Sequence, residues 1–175
     1  MINEKRMARI SAIDKQDGIQ NEIKKFLRQN NKMVYGVRSI NAQSNIMTRP
    51  TKDWDVYSNT PKKSSNKLQK KLDKFVGGNY FYNKPAMHKG TWKVKTIGDD
   101  LKKDTFDDEE IADFSLPDKN YKSKTINGIK FRILKEEIKA KKRSLADKEM
   151  KFRHEKDRND LNRIKANLKI KELLK

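Results

Sequence analysis

The stretch NTPKKSSNKLQKKLDKFVGG, residues 59–78, constrains the fold of this chain more than any other. Thr60 stands as a cap before Pro61 at a first helical position, and Leu68, Leu72, Phe75 and Val76 recur at helical spacing until Gly77 and Gly78 end the run. A helix fixed at both ends leaves strands to its flanks. DWDVYS precedes it, and NYFYNKP and TWKVKTIG follow, the last alternating Trp92, Val94 and Thr96 with Lys93 and Lys95. Strand, helix and strand in succession predict an α/β (α+β) fold, a mixed sheet flanked by helices.

The remainder fits around this unit. Ile19, Ile23, Phe26 and Leu27 form one face of an amphipathic helix over 14–30, and MVYG reads as a short strand closed by Gly36. A helical turn is expected near 40–46. EEIADFSLPD restores alternation, with Ala112, Phe114 and Leu116 on one face and Ile111, Asp113 and Ser115 on the other. INGIKFRIL is a turn followed by a strand, and two helical pieces run from Leu134 onward. The expected organisation is an N-terminal segment 1–31, a core 32–133 and basic helices 134–175 packing on it.

Charge narrows the partners. The chain has 43 Lys plus Arg against 24 Asp plus Glu, a net +19, and residues 119–175 alone carry 20 basic against 8 acidic side chains. Such an excess calls for a polyanion, with nucleic acid the leading partner. No cysteine is present, which excludes disulfides and thiolate metal sites. No long apolar run points to a membrane or a signal peptide, so the chain is expected to be soluble and not exported by a signal peptide. Seven of the twelve residues 99–110 are acidic, read as a solvated loop, since the glycine a calcium hand needs at its sixth position is absent.

Against this basic background, DWDVYS holds Asp53 and Asp55, one residue apart. In a strand they would share a face, with Cα atoms roughly 6.5 Å apart, while Trp54 and Val56 lock the other face into the core. Asp113 sits in a second strand between apolar neighbours. Three carboxylates converging from adjacent strands would repel one another without a cation, and two magnesium ions are the usual answer in phosphoryl chemistry. The competing reading is that these aspartates merely face water.

A glycine turn at Gly36, a short helix, then Arg49-Pro50-Thr51-Lys52-Asp53-Trp54-Asp55-Val56 and a later lone strand aspartate together resemble the nucleotidyltransferase superfold related to DNA polymerase β. The wording is closest to its viral and phage-type branch, with motifs "YGG-x-A" and "DxD". KFRHEKDRNDLNRI, residues 151–164, is also similar to the "R-x-x-KD-x-x-D-L" helix of bacterial abortive-infection nucleotidyltransferases.

The resemblance implies that Asp53, Asp55 and Asp113 hold two magnesium ions, and that Asp113 helps activate an attacking hydroxyl. It implies that Gly36 opens a turn whose backbone approaches an NTP, and that Arg38, Ser39, Arg49, Lys52 and Lys156 contact phosphate. The reaction implied is transfer of a nucleoside monophosphate from an NTP to a hydroxyl acceptor. Where the family has glycine or serine after Gly36, this chain has Val37, expected to crowd a triphosphate.

Other features read more plainly. Arg153, Asp157 and Asp160 share a helix face and are expected to make a solvated, ion-paired surface or to buttress the nucleotide site. His88 and His154 lack ligand spacing. Tyr80, Phe81 and Tyr82 of GGNYFY, near Lys84, could stack bases beside basic side chains, with core strand packing the favoured role. A second function stays open: a catalytically inactive nucleotidyltransferase-fold component of a viral (phage) particle that binds nucleic acid.

Overall fold

A computed structural model describes residues 16–44, 51–98, 102–105 and 108–173. Its elements in chain order are α1 (Gln16–Gln29), β1 (Met33–Tyr35), α2 (Val37–Gln43), β2 (Trp54–Tyr57), α3 (Pro61–Val76), β3 (Phe81–Pro85) and β4 (Thr91–Thr96). They continue with β5 (Glu110–Ser115), β6 (Ser123–Ile126), β7 (Ile129–Arg132), α4 (Leu134–Ala146), a 3-10 turn (Lys148–Arg153) and α5 (His154–Leu173). The fold is mixed α/β, as the sequence predicts. The chain divides into two compact units, Met1–Lys32 with Lys52–Asp118, and Met33–Thr51 with Lys119–Lys175.

In the first unit four strands run in the order β3-β4-β5-β2, with β2 and β5 parallel and the others antiparallel. Alternation along β2 and β5 sends Trp54, Val56, Ala112 and Phe114 to one face, where all four are buried. Helices α1 and α3 cover that face. Phe26 of α1 meets Phe114 edge-on at 6.0 Å between ring centroids, and Gln20 Oε1 accepts the Trp54 indole N–H at 2.9 Å. Leu68 and Leu72 of α3 are fully buried, and Lys71 of α3 pairs with Glu22 of α1 at 3.1 Å.

Helix α3 keeps its expected ends, Pro61 at the first turn and Gly77 beyond the last. Thr60 does not cap it through its side chain; its own N–H donates to Ser58 Oγ at 3.1 Å. Gly77 holds φ 80° and ψ 32°, the left-handed geometry that costs a side-chain-bearing residue about 1 kcal/mol. Its would-be Cβ meets nothing within 4 Å. Gly77→Ala is therefore expected to destabilise by about 1 kcal/mol through backbone strain alone, read as a denaturant-midpoint shift at unchanged slope.

In the second unit the order is β1-β7-β6, with β1 parallel and β6 antiparallel to β7. The expected turn before β7 is the Asn127-Gly128 tip of a hairpin whose first strand, β6, the sequence does not reveal. The helix after Gly36 starts at Val37, earlier than expected.

Candidate functional site

Asp55 and Asp113 are register partners on the parallel strands β2 and β5. Parallel neighbours lie about 4.8 Å apart, and the alternation that buries Trp54, Val56, Ala112 and Phe114 turns both aspartates to the opposite face. Two carboxylates thus stand side by side. The strand begins at Trp54, so Asp53 occupies the bend before it and is not the in-strand mate of Asp55 that the sequence predicts. The pairing comes across strands instead.

Asp113 is the most constrained of these groups. Its side chain is 16% exposed, and its buried Oδ1 has no hydrogen-bond partner. Lys93 on β4, its antiparallel register partner, brings Nζ to 3.5 Å from Oδ2 and also pairs with Glu110. Burial pushes the Asp113 carboxyl up to about 8; Glu110 adds to this, Lys93 opposes it, and repulsion from Asp55 contributes further. Burial disfavours the Lys93 charge, but Glu110 and Asp113 outweigh it and hold that ammonium above the usual lysine range.

These values carry a stability consequence. A carboxyl whose folded value is raised contributes stability that is fully present below the unfolded value near 4 and is lost as pH rises through the folded value near 8. Asp113→Asn removes the cost of the buried charge. The variant is expected to be more stable than the parent at pH 9 by a few kcal/mol and little different at pH 4, in chemical denaturation without divalent cations.

The glycine turn belongs to the second unit. Gly36 has φ 72° and ψ −149°, a conformation that excludes a Cβ-bearing residue, so the chain can swing from β1 into α2 only with glycine here. Its N–H donates to Glu137 Oε1 at 3.0 Å. Glu137 is buried and takes both arms of Arg132, Nε at 2.9 Å and Nη2 at 2.5 Å. The Arg132 guanidinium lies between the rings of Tyr35 and Tyr121, 5.2 and 4.9 Å from their centroids. A rigid ion pair on α4 and β7 therefore fixes the turn.

The expected phosphate contacts fall in different places. Ser39 is fully buried and its hydroxyl donates to the Arg132 carbonyl at 2.6 Å, a carbonyl that also accepts from Gln43 Nε2 at 2.7 Å. Arg38 Nη2 donates to the Thr51 carbonyl at 3.1 Å. Lys52 pairs with Glu109 at 2.7 Å on an exposed surface, and Lys156 is exposed on α5. Arg49 lies outside the described residues. Val37, expected to crowd a triphosphate, turns its side chain into the core and is 5% exposed.

The C-terminal helix departs from the solvated surface expected of it. Asp157 and Asp160 are 1% and 0% exposed, and Lys141 of α4 reaches both, at 3.0 and 2.7 Å. Among the described residues no three His, Cys, Asp or Glu side chains converge on a common metal point. Lys93, Glu110, Arg132 and Glu137 escape the sequence reading, since each acquires its partner only through strand register or packing. The alternation of Lys93 with Trp92 was the one local signal that it shares a face with Asp113.

No family model and no curated protein matches the sequence. Among solved structures, the Megavirus polyadenylate synthase superposes with TM-score 0.68 at 19% identity over 89% of this chain. The chain spans about a third, 32%, of that enzyme's length. JHP933 from Helicobacter pylori superposes with TM-score 0.46 at 14% identity, covering 78% of this chain and 57% of that one. A nucleotidyltransferase candidate from H. pylori gives TM-score 0.47 at 14% identity, covering 72% and 56%. The chain has the fold that the Megavirus polyadenylate synthase displays over about a third of its length.

Proposed function

We propose that the protein is a magnesium-dependent nucleotidyltransferase, moving a nucleoside monophosphate from an NTP to a hydroxyl acceptor and releasing pyrophosphate. The observation that carries this reading is the Asp55–Asp113 register pair with its buried, unpartnered Asp113 Oδ1. A buried carboxylate oxygen without a partner, beside a second carboxylate on the neighbouring strand, supports a cation as the group that would offset their charge. Asp55 and Asp113 would hold the ion as a pair, while Asp53 stands at the bend before the strand and no third carboxylate among the described residues converges with them. Bound there, magnesium would stabilise the charge developing on the phosphoryl oxygens.

The chain's own groups would do the rest. The Asp113 carboxylate, once its own proton has left, would take the proton of the attacking hydroxyl as that hydroxyl oxygen bonds to the α-phosphorus and the bond to pyrophosphate breaks. Lys93 would sit beside it, its ammonium countering the negative charge. A second reading, a non-catalytic component that binds nucleic acid in a viral particle, draws on two observations. Lys93 already gives Asp113 a protein cation, and the Gly36 N–H is committed to Glu137.

Incubation with α-labelled NTPs, magnesium and mixed RNA, DNA and protein acceptors separates the two. The enzyme reading expects incorporation that vanishes in Asp53→Asn/Asp55→Asn and identifies the acceptor by its mobility. Absence of label on every acceptor, with NTP binding indifferent to magnesium, leaves the binding-component reading. No helix among the described residues is long and apolar enough to cross a membrane, and host cytoplasm or virion is the proposed location.

A further inference from the structure

The first unit carries a second feature on the face opposite Asp113. Beside the start of α3 lies an open groove of about 680 Å³, lined by Lys62, Lys63, Asn66, Lys67, Lys70 and Trp92 together with three small or uncharged neighbours and no acidic side chain. Trp92 is the register partner of Phe114, and the next residue, Lys93, faces Asp113. Alternation therefore places the groove and the carboxylates on opposite faces of the same sheet.

We infer that this groove binds a single-stranded polynucleotide, with a base stacked on Trp92 and the backbone phosphates on the lysines of α3. Charge selects the ligand class: four lysines without a carboxylate among them favour a polyanion. Lys63, Lys67 and Lys70 follow one another on one side of the helix in steps of roughly 5 Å along its axis, a row suited to a chain of phosphates rather than to one ion. The aromatic ring selects further. Trp92 is half-buried and Lys62 Nζ lies over its ring, 5.0 Å from the centroid, so a base stacking there would take the place that this ammonium holds.

That combination is a stacking platform beside an electrostatic track. A duplex keeps its bases stacked on one another and cannot offer a face to the ring, whereas a single strand can. Asn66 adds an amide able to hydrogen-bond a base edge. Helix α3 as a whole has six lysines against one aspartate, and Lys71 beyond the groove is paired with Glu22 of α1. The site stands independently of the transfer reaction, being on the other face from the proposed chemistry.

The full chain at net +19 will hold any polyanion weakly, so the test is differential. Fluorescence titration with a twelve-residue oligoadenylate, oligothymidylate, a duplex of the same length and polyglutamate uses Trp92 itself as reporter. The chain has two tryptophans, and the other, Trp54, is 3% exposed. Single strands are expected to quench emission of the parent and, by anisotropy of an end-labelled oligonucleotide, which needs no tryptophan, to lose about 5- to 100-fold in affinity in Trp92→Leu, with an intermediate loss in Trp92→Phe. A twelve-residue oligodeoxyadenylate run beside the oligoadenylate, the same base on the other sugar, assigns DNA or RNA.

Lys63→Gln/Lys67→Gln/Lys70→Gln should reduce the slope of log affinity against log salt by about 2. A charge-matched control, Lys148→Gln/Lys151→Gln/Lys165→Gln, changes exposed lysines of the other unit and should leave most of that slope. Equal losses in both triple variants, no quenching by single strands, or equal binding of duplex or polyglutamate would overturn the proposal. Transfer activity measured on the same variants keeps the two readings separate, because a chain that fails to transfer nucleotides can still quench, and the reverse.

Discussion

Asp55→Asn is expected to lower nucleotidyl transfer on the order of 1000-fold while leaving the fold intact. The estimate follows from chemistry: a metal-held phosphoryl oxygen is stabilised by several kcal/mol in the transition state, and each 1.36 kcal/mol is tenfold in rate. Asparagine keeps the shape of Asp55 but removes the negative charge that pairs with Asp113 across the strands. Asp113→Asn should lose activity at least as severely, yet it should stabilise the apo protein at high pH, because burial holds that carboxyl near 8. Opposite movement of activity and stability is the signature of a group kept for chemistry. If either variant transfers nucleotides within tenfold of the parent, the carboxylates are not the catalytic set.

Lys141→Met is expected to produce the largest loss of stability, about 3–5 kcal/mol, because it strips the cation from two buried carboxylates at once. Lys141 is 6% exposed and contacts Asp157 and Asp160, which are 1% and 0% exposed. Arg153, at 3.4 Å from Asp157 and half-exposed, is a weak substitute. The pH dependence gives a second readout. Burial works against the Asp157 carboxylate, but Ser144, Lys141 and Arg153 outweigh it and hold the group below its usual range. The parent's stability from this group is therefore present above about pH 4 and lost as pH falls through the depressed folded value. In Lys141→Met the sign should reverse, with stability rising as acid neutralises the stranded aspartates. Urea midpoints at pH 4 and pH 8 for both proteins check this, and a variant within 1 kcal/mol of the parent at pH 8 would contradict it.

The legible parts of the fold are those whose signal is local. Helix α3 was readable because Pro61, its apolar stripe and Gly77 lie in one continuous run, and β2 and β5 because their buried residues alternate. Strand β6 was not, since Ser123, Lys124 and Thr125 are all exposed and the strand is held by its pairing with β7 rather than by an apolar face. Tertiary charge was equally hidden. Asp157 and Asp160 at helical spacing look like a solvated ion-pair face until α4 delivers Lys141, 16 and 19 residues earlier. The link of Gly36 to Glu137 spans 101 residues, so no spacing rule could announce it. At the acidic site the pairing depends on strand register, which puts Asp55 with Asp113 and leaves Asp53 at the bend.

The central claim is that the Asp55–Asp113 pair is built for a divalent cation, and titration calorimetry of the apo protein with manganese or magnesium at pH 7 tests it most directly. The account predicts saturable binding that is lost in Asp55→Asn and Asp113→Asn. It also predicts proton release on binding, seen as a heat that varies with buffer ionisation enthalpy, because Asp113 is largely protonated below about 8. No saturable binding, or binding unchanged in both variants with no proton released, would contradict it.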